Sequence, residues 1–219
     1  MTSDELTPDG GVVRLFPLPN LVLFPGAVQP LHIFEPRYRQ MTADALAGDR
    51  LIALVLPMPG WEKDYAGKPA LHDVACVGRI GAEQQLADGR FNLLLHGLRR
   101  IRIIEEVSQA KLYRAARVEF LDEAAYSDVA EEAVFRQRLR EHAPEWFGGQ
   151  TELRDQFLGL IDSDLGLGVL IDLIAFALPL DPEFKQMLLE ELNVPQRFER
   201  LLHQLSISRR PFPPEFSPN

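Results

Sequence analysis

Gly60, Gly67 and Lys68 come nearest in this sequence to a phosphate-binding loop. Such a loop needs GxxxxGK followed by serine or threonine, because glycine amides wrap the phosphate while the lysine and the hydroxyl reach the phosphate and its metal. Here the spacing of the glycines is wrong, and Pro69 stands where the hydroxyl is needed. The sequence also contains no GxSxG, HExxH, CxxC or EF-hand pattern. It therefore predicts no cofactor and no nucleotide hydrolysis.

The single cysteine and the histidines predict no catalytic residue and no metal site. Cys76 lies in the apolar run VACVG, whereas a nucleophilic cysteine needs an exposed, electropositive setting that favours the thiolate. We expect a buried thiol, and a cryptic hydrolase that uses Cys76 is a less favoured alternative. His32 and Glu35 are separated by an expected strand-to-helix junction, and His96 is expected in a turn with Gly97. The protein is therefore expected not to be an enzyme.

The densest group of cations is Arg99-Arg100-Ile101-Arg102-Ile103. Strand alternation would turn the isoleucines inward and Arg100 and Arg102 outward, which predicts a solvated basic face. Two or three cations are fewer than the roughly 6–10 phosphate contacts of tight nucleic-acid binding. The net charge of −9, carried by the second half of the chain, also repels phosphate backbones. We expect no nucleic-acid partner, and an RNA-binding protein remains the main alternative.

Residues 57–69 (PMPGWEKDYAGKP) form the most suggestive surface segment. They place Met58, Pro59, Trp61 and Tyr65 among glycine and charged residues, and adaptable methionine and amphipathic aromatic side chains are enriched at interfaces. These four residues are the candidate binding site, and the alternative is that Trp61 covers the core. One buried aromatic side chain contributes roughly 1.5–3 kcal/mol, whereas association costs roughly 4–15 kcal/mol. More apolar surface is needed, and a groove between the two parts of the chain is the expected place.

The first 121 residues predict mainly strands. The apolar run LIALVL at 51–56 is typical of a strand covered on both faces, and Asp88-Gly89 favours a tight hairpin. One helix is expected to begin at Pro36, because the apolar and small side chains that follow share one face; these are Tyr38, Met41, Thr42 and Ala45. The predicted strands are 12–18, 28–34, 51–56, two pieces within 74–86, 91–96, 99–105 and 113–121.

From about residue 127 the apolar period changes to 3.6, which predicts helices near 128–143, 151–163, 166–178, 183–192 and 194–206. The fold class is therefore α+β. We expect a disordered N-terminus at 1–11, a β-rich subdomain at 12–121, an all-helical bundle at 127–207 and a proline-rich tail at 208–219.

The expected location is cytoplasmic. The N-terminus lacks the features of a secretory signal, and a single cysteine fits a reducing compartment. Apolar runs are shorter than the roughly 20 residues that cross a bilayer, so no membrane partner is expected.

Five blocks in the sequence resemble the N-terminal, substrate-binding domain of Lon proteases. They follow one another at 15–41 (LFPLPNLVLFPGAVQPLHIFEPRYRQM), 77–81 (VGRIG), 88–103 (DGRFNLLLHGLRRIRI), 113–123 (YRAARVEFLDE) and 170–205. The resemblance covers about residues 12–205. It implies a PUA-like twisted β-structure packed on a helical bundle, and it implies recognition of unfolded or tagged polypeptides.

The sequence departs from a full Lon protease in having no ATPase or serine–lysine peptidase segment before it stops at Asn219. It therefore resembles the stand-alone bacterial form of the domain. The expected function is a non-enzymatic polypeptide-binding module, an adaptor or regulator in protein quality control. Its expected partner is an unfolded or tagged polypeptide or another protein, and a homodimer is left open.

Overall fold

The structure is a computed structural model that describes residues 11–64, 67–108, 110–124, 129–147 and 151–207. Within these ranges the chain forms six strands and six α-helices, as expected of an α+β fold. The strands are β1 (Val12–Pro17), β2 (Val28–Ile33), β3 (Leu51–Val55), β4 (Val74–Gln85), β5 (Phe91–Glu106) and β6 (Arg114–Phe120). The helices are α1 (Pro36–Leu46), α2 (Val129–Phe147), α3 (Thr151–Ile161), α4 (Leu167–Ala177), α5 (Pro182–Glu190) and α6 (Val194–Ile207).

Five of the strands close into a barrel. Strand β1 pairs with β3 in parallel and with β6 in antiparallel fashion, and β4 pairs antiparallel with both β3 and β5. Because the second half of β5 also pairs with β6, the order β5-β4-β3-β1-β6 returns to its starting strand. A cluster of branched and small apolar side chains forms the core of this unit: Val13, Leu15, Leu51, Ala53, Val55, Ala75, Val77, Ile101 and Ala116.

Strand β2 lies at the edge of the sheet and pairs with the first half of β5. Pro30, in the middle of β2, has no N–H to donate, and its carbonyl oxygen accepts a hydrogen bond of 2.7 Å from the side chain of Gln29. Proline on an edge strand weakens the pairing of that edge with another chain. The exposed edge of this sheet is therefore blunted.

Strands β4 and β5 form a long hairpin. Its turn includes Gly89, which has a φ of 80°, as the Asp88-Gly89 pair predicted. The expectation of a turn at His96 is wrong, because β5 runs without interruption from Phe91 to Glu106. The register between β4 and β5 shifts beside Gly97, so the chain passes this point as an irregularity within one strand.

Gly97 is needed because a second backbone segment crosses β5 at this position. The amide of Gly26 donates to the carbonyl of Gly97 at 2.9 Å, and the amide of Gly97 donates to Ala27 at 2.8 Å. A Cβ on Gly97 would overlap the carbonyl of Phe24. Glycine within a strand marks such a close approach of two backbones, and the approach fixes the Phe24-Pro25-Gly26 turn against the sheet.

The described residues divide into two compact units. The first contains the six strands, α1 and α5, and the second contains α2, α3, α4 and α6. The helix expected near 183–192 corresponds to α5. The sequence pattern assigns it to the helical bundle, whereas the structure places it in the unit that contains the sheet. The Gln186 side chain donates to the carbonyl of Val74 at 2.9 Å, and the His72 ring lies 3.2 Å from Glu183 and 3.4 Å from Glu190.

The prediction that Arg100 faces solvent is wrong. Its exposed fraction is 2%, and its Nε donates to the carbonyl of Leu189 in α5 at 2.8 Å. Arg102 is exposed and forms an ion pair with Glu119 at 2.8 Å. Strand alternation does place both arginines on one face, but α5 covers the Arg100 end of that face.

In the second unit, the predicted apolar stripes of α4 and α6 are buried. Arg197 lies fully buried beneath them and forms an ion pair with Glu123. Its Nε is 3.2 Å from the buried carboxylate of Asp172, without the alignment of a hydrogen bond, and its Nη1 donates to the carbonyl of Glu191 at 2.8 Å. No helix in the described ranges combines the length and the apolar character that a membrane span requires.

Candidate functional site

The segment between β3 and β4 contains the candidate residues, and its ends are held together by backbone pairing. Pro57 forms an antiparallel bridge with Leu71, and the amide of Met58 donates to the carbonyl of Ala70 at 2.8 Å. Further out, residues Trp61–Asp64 form one turn of 3-10 helix. The segment from 57 to 71, called the 57–71 loop below, therefore projects from the barrel on a paired base.

The structure exposes two of the four candidate residues clearly. Met58 is 44% exposed and Pro59 is exposed, so together they present an apolar surface. Trp61 is half-buried, which leaves both a contact role and a packing role open to it. Tyr65 lies outside the described residues. The assignment of these residues to binding stays a prediction, as does the expected groove between the two parts of the chain.

A cavity of about 370 Å³ adjoins the 57–71 loop; it is called the loop cavity below. The loop supplies one wall, the end of β1 and the start of α1 supply a second, and the connection from β5 to β6 supplies a third. The residues that line it are Pro17, Arg37, Tyr38, Pro57, Gly67, Lys68, Pro69, Glu106, Val107, Ser108, Lys111, Leu112, Tyr113 and Arg114.

Part of the lining of the loop cavity is apolar. Three prolines and the rings of Tyr38 and Tyr113 contribute to its walls. Leu112 also lines the cavity and yet is 65% exposed, while its amide donates to the side chain of Gln40 at 2.8 Å. The exposed side chain of Leu112 therefore offers apolar surface that a bound partner could bury.

One ion pair fixes the charged wall of the loop cavity. Arg114 contacts both carboxylate oxygens of Glu106 and also donates to the carbonyl of Pro69 at 2.7 Å. The hydrogen bonds from Arg114 hold the pKa of Glu106 below its ordinary value against the effect of burial, and the charges of Arg114 and Lys68 act in the same direction. Through these contacts Arg114 holds the 57–71 loop against the start of β6.

A second polar group lies where α1 meets the β5–β6 connection. Lys111 lies 2.9 Å from Asp44, and the hydroxyl of Tyr113 donates to the same carboxylate oxygen at 2.8 Å. The hydrogen bond from Lys111 is the main reason that the pKa of Asp44 is lowered. Burial, and then the bond to Asp44, raise the pKa of Tyr113, so this tyrosine stays a neutral hydrogen-bond donor at neutral pH.

The start of α1 adds a further cation to the loop cavity. Arg37 forms an ion pair with Glu35 at 2.9 Å, and its guanidinium lies 4.6 Å from the centre of the Tyr38 ring. The lining therefore carries four cations against the single carboxylate of Glu106. Such a surface can bind a ligand through apolar contact and charge.

The other chemical candidates in the sequence do not form reactive sites. Cys76 is fully buried in β4, as predicted. His32 shares a hydrogen bond of 2.7 Å with Asn92. Across the parts of the chain that the structure describes, no three histidine, cysteine or acidic side chains are grouped to hold a metal ion.

Sequence reasoning singled out residues 57–69, which belong to the 57–71 loop, but missed the loop cavity beside them. Arg37 and Tyr38 lie at the start of the helix expected from Pro36, and the sequence pattern gives no indication that they contribute to a cavity wall. Glu106 and Arg114 lie on two strands that only the fold brings into contact. The available signal was the recurrence of proline at or just after the ends of β1 and β3, at positions 17 and 57, and again in the loop at position 69.

Residues 12–206 match the family model described as the ATP-dependent protease La (LON) substrate-binding domain. Lon protease 2 of Myxococcus xanthus is 30% identical over 198 residues, which cover 90% of this chain and 24% of that protein. Lon protease 2 of Sorangium cellulosum (strain So ce56) is 31% identical over 199 residues, with the same coverage. The chain therefore spans about a quarter of the length of these relatives.

Solved structures show the same fold. The N-terminal domain of the Mycobacterium avium complex Lon protease superimposes with a TM-score of 0.69 at 18% identity, over 90% of this chain and 99% of that chain. A Lon N-terminal domain protein from Xanthomonas campestris gives a TM-score of 0.63 at 23% identity, over 88% and 97% of the two chains.

Proposed function

Since this chain belongs to the family of Lon protease substrate-binding domains, we propose that it binds unfolded or tagged polypeptide segments and performs no chemistry on them. The Lon relatives are proteases, and the family that matches here is defined by their substrate-binding domain. Within this proposal the protein acts as an adaptor or regulator in protein quality control, and delivery of polypeptides to a protease is the role that the family relationship favours.

The contact surface in this proposal is the 57–71 loop together with the loop cavity. The observation that carries it is the exposed apolar area of Leu112, which lines the cavity, together with that of Met58 and Pro59 in the loop that supplies one of its walls. An unfolded segment exposes apolar side chains, and their burial contributes about 25 cal/mol per Å². Because association costs roughly 4–15 kcal/mol, several such contacts must act together, and a loop with an adjoining cavity offers them.

Neither alternative function gains support from the structure. The basic cluster expected for RNA contact is largely occupied, because Arg100 is buried, Arg102 pairs with Glu119 and Arg99 contacts Asp122. A thiol hydrolase would need access to Cys76, which is fully buried.

The test replaces the exposed apolar side chains and measures capture of a labelled unfolded polypeptide by fluorescence anisotropy. We expect Met58→Ala combined with Leu112→Ala to weaken binding about tenfold, because each truncated side chain gives up part of the 1.5–3 kcal/mol of a full burial. Trp61→Ala should weaken binding further without lowering the melting temperature. The matched control is Ile104→Ala, which removes an exposed apolar side chain that lies neither in the 57–71 loop nor in the lining of the loop cavity.

Two results would contradict the proposal. The first is unchanged capture in the Met58/Leu112 double variant. The second is a Trp61→Ala variant that loses thermal stability while capture stays unchanged, since this would make Trp61 a core residue.

A further inference from the structure

The charges and walls of the loop cavity point to a specific ligand chemistry. We infer that the cavity is a carboxylate-recognition pocket, which takes a carboxylate of the bound polypeptide together with a neighbouring apolar side chain. The inference rests on the proposed polypeptide binding and names the group that is recognised. Its basis is the combination of cations, apolar walls and limited volume in one cavity.

The first argument is the sign of the charge. The chain as a whole has a net charge of −9, yet the lining of this cavity carries four cations against the single carboxylate of Glu106. Two of these cations, Arg37 and Lys111, also contact Glu35 and Asp44 outside the lining, so the local excess of positive charge is smaller than four to one. A partly enclosed surface that carries charge of one sign attracts ligands of the other sign. The cavity therefore favours an anion although the rest of the protein repels it.

The second argument concerns which cations can serve a ligand. Arg114 is occupied by Glu106 and by a backbone carbonyl. Lys111 contacts Asp44 on one side, but its side chain is 43% exposed, and an ammonium group has three donors. Lys68 is exposed and close enough to act on the pKa of Glu106. The two lysines are therefore the groups that bind the carboxylate.

The third argument is the rest of the lining. Beside the lysines stand three prolines, two tyrosine rings and the exposed Leu112. An inorganic anion would leave this apolar surface in water, whereas a peptide carboxylate brings an apolar side chain next to it. A volume of about 370 Å³ accepts side chains or a chain end and not a folded domain. The ligand is therefore an acidic peptide segment.

Two sources supply this chemistry, namely an aspartate or glutamate side chain and the free carboxyl terminus of a chain. The experiment separates them with four labelled peptides of one unstructured sequence that contains a Leu-Glu pair near its end. One has the native carboxylates, one has an amidated terminus, one carries glutamine for glutamate, and one carries both changes. Affinities are measured by anisotropy at 50 and 300 mM NaCl.

We expect the fully neutral peptide to bind about three- to tenfold more weakly than the native peptide at 50 mM NaCl, as for one or two partly exposed ion pairs. The difference should shrink at 300 mM NaCl because salt screens exposed charges. The single derivative that loses affinity identifies the source of the carboxylate. Lys68→Gln combined with Lys111→Gln should remove the preference for the native peptide over the fully neutral peptide.

The matched control is Lys63→Gln, which removes an exposed lysine of the same loop that does not line the cavity. It should keep the preference for the native peptide. Equal binding of all four peptides, or a preference that survives in the double lysine variant, overturns the carboxylate pocket while polypeptide binding stands. Failure of every peptide and of the unfolded polypeptide to bind overturns the proposed function itself.

Discussion

Arg100 and Arg102 offer a sharp test of the structure, because they lie two residues apart on one face of β5 in opposite surroundings. The Arg100 side chain is covered by α5 and donates to the carbonyl of Leu189. Arg102 pairs with Glu119 while both side chains remain about half-exposed. We expect Arg100→Met to lower the free energy of unfolding strongly and Arg102→Met to change it little.

The magnitude follows from the contacts that each change removes. A hydrogen bond from a charged donor is worth about 1.5–3 kcal/mol, and a buried carbonyl left without a partner costs about 1–3 kcal/mol. Removing the cost of burying a guanidinium offsets part of this loss, so the net effect of Arg100→Met is about 2–3 kcal/mol. The exposed ion pair of Arg102 contributes about 0.2–1 kcal/mol.

Urea denaturation followed by circular dichroism measures both effects at one pH and salt concentration. A third variant, Arg100→Lys, keeps the charge but loses the planar guanidinium, and it should fall between the wild type and Arg100→Met. If Arg100→Met lowers the midpoint no more than Arg102→Met, the burial of Arg100 beneath α5 is wrong. The solvated basic face expected from strand alternation would then be correct.

Two further predictions concern buried charges elsewhere. Arg197→Met should lower the free energy of unfolding by about 3–5 kcal/mol, because it removes the cation beside the buried carboxylate of Asp172. The double variant Arg197→Met with Asp172→Leu should lose less stability than Arg197→Met alone. A double variant that unfolds at a lower urea concentration than Arg197→Met would contradict this. Burial lowers the pKa of Lys185 to about 8, so between pH 8 and 10.5 the unfolded chain binds more protons and stability rises with pH. Lys185→Met should therefore stabilise the protein at pH 7 by about 1–2 kcal/mol. The urea midpoint of the variant should exceed that of the wild type at pH 7, and the difference should become smaller by pH 9.5. A difference that does not change with pH would refute this prediction.

Local patterns in the sequence predicted the elements well. The apolar stripes of α1 and α4 were correct because periodicity depends on which side chains are buried and not on what covers them. The same reasoning could not assign α5 to the sheet, since its buried face includes Gln186, whose partner is the carbonyl of Val74 in β4. A polar contact between residues so distant in the chain leaves no periodic signal.

Two features could not be predicted from the sequence: the continuation of β5 through Gly97, and the loop cavity. Gly97 suggested a turn, because glycine has the same local preference whether the chain reverses or another backbone passes close by. The exposed Met58 was anticipated from residue type alone. The walls that Arg37 and Arg114 add to the cavity depend on the closure of the barrel, which pairs the end of β5 with β6.

The blunted edge of β2 has a consequence for the proposed binding of unfolded chains. Such chains readily add to an open sheet as an extra strand, and strand addition of this kind can continue from one molecule to the next and seed aggregates. Pro30 has no backbone N–H to donate, and its carbonyl oxygen already accepts a hydrogen bond from the side chain of Gln29. Under the proposed function, a polypeptide held through its side chains would keep its own backbone unpaired, so it could be released without breaking a β-ladder.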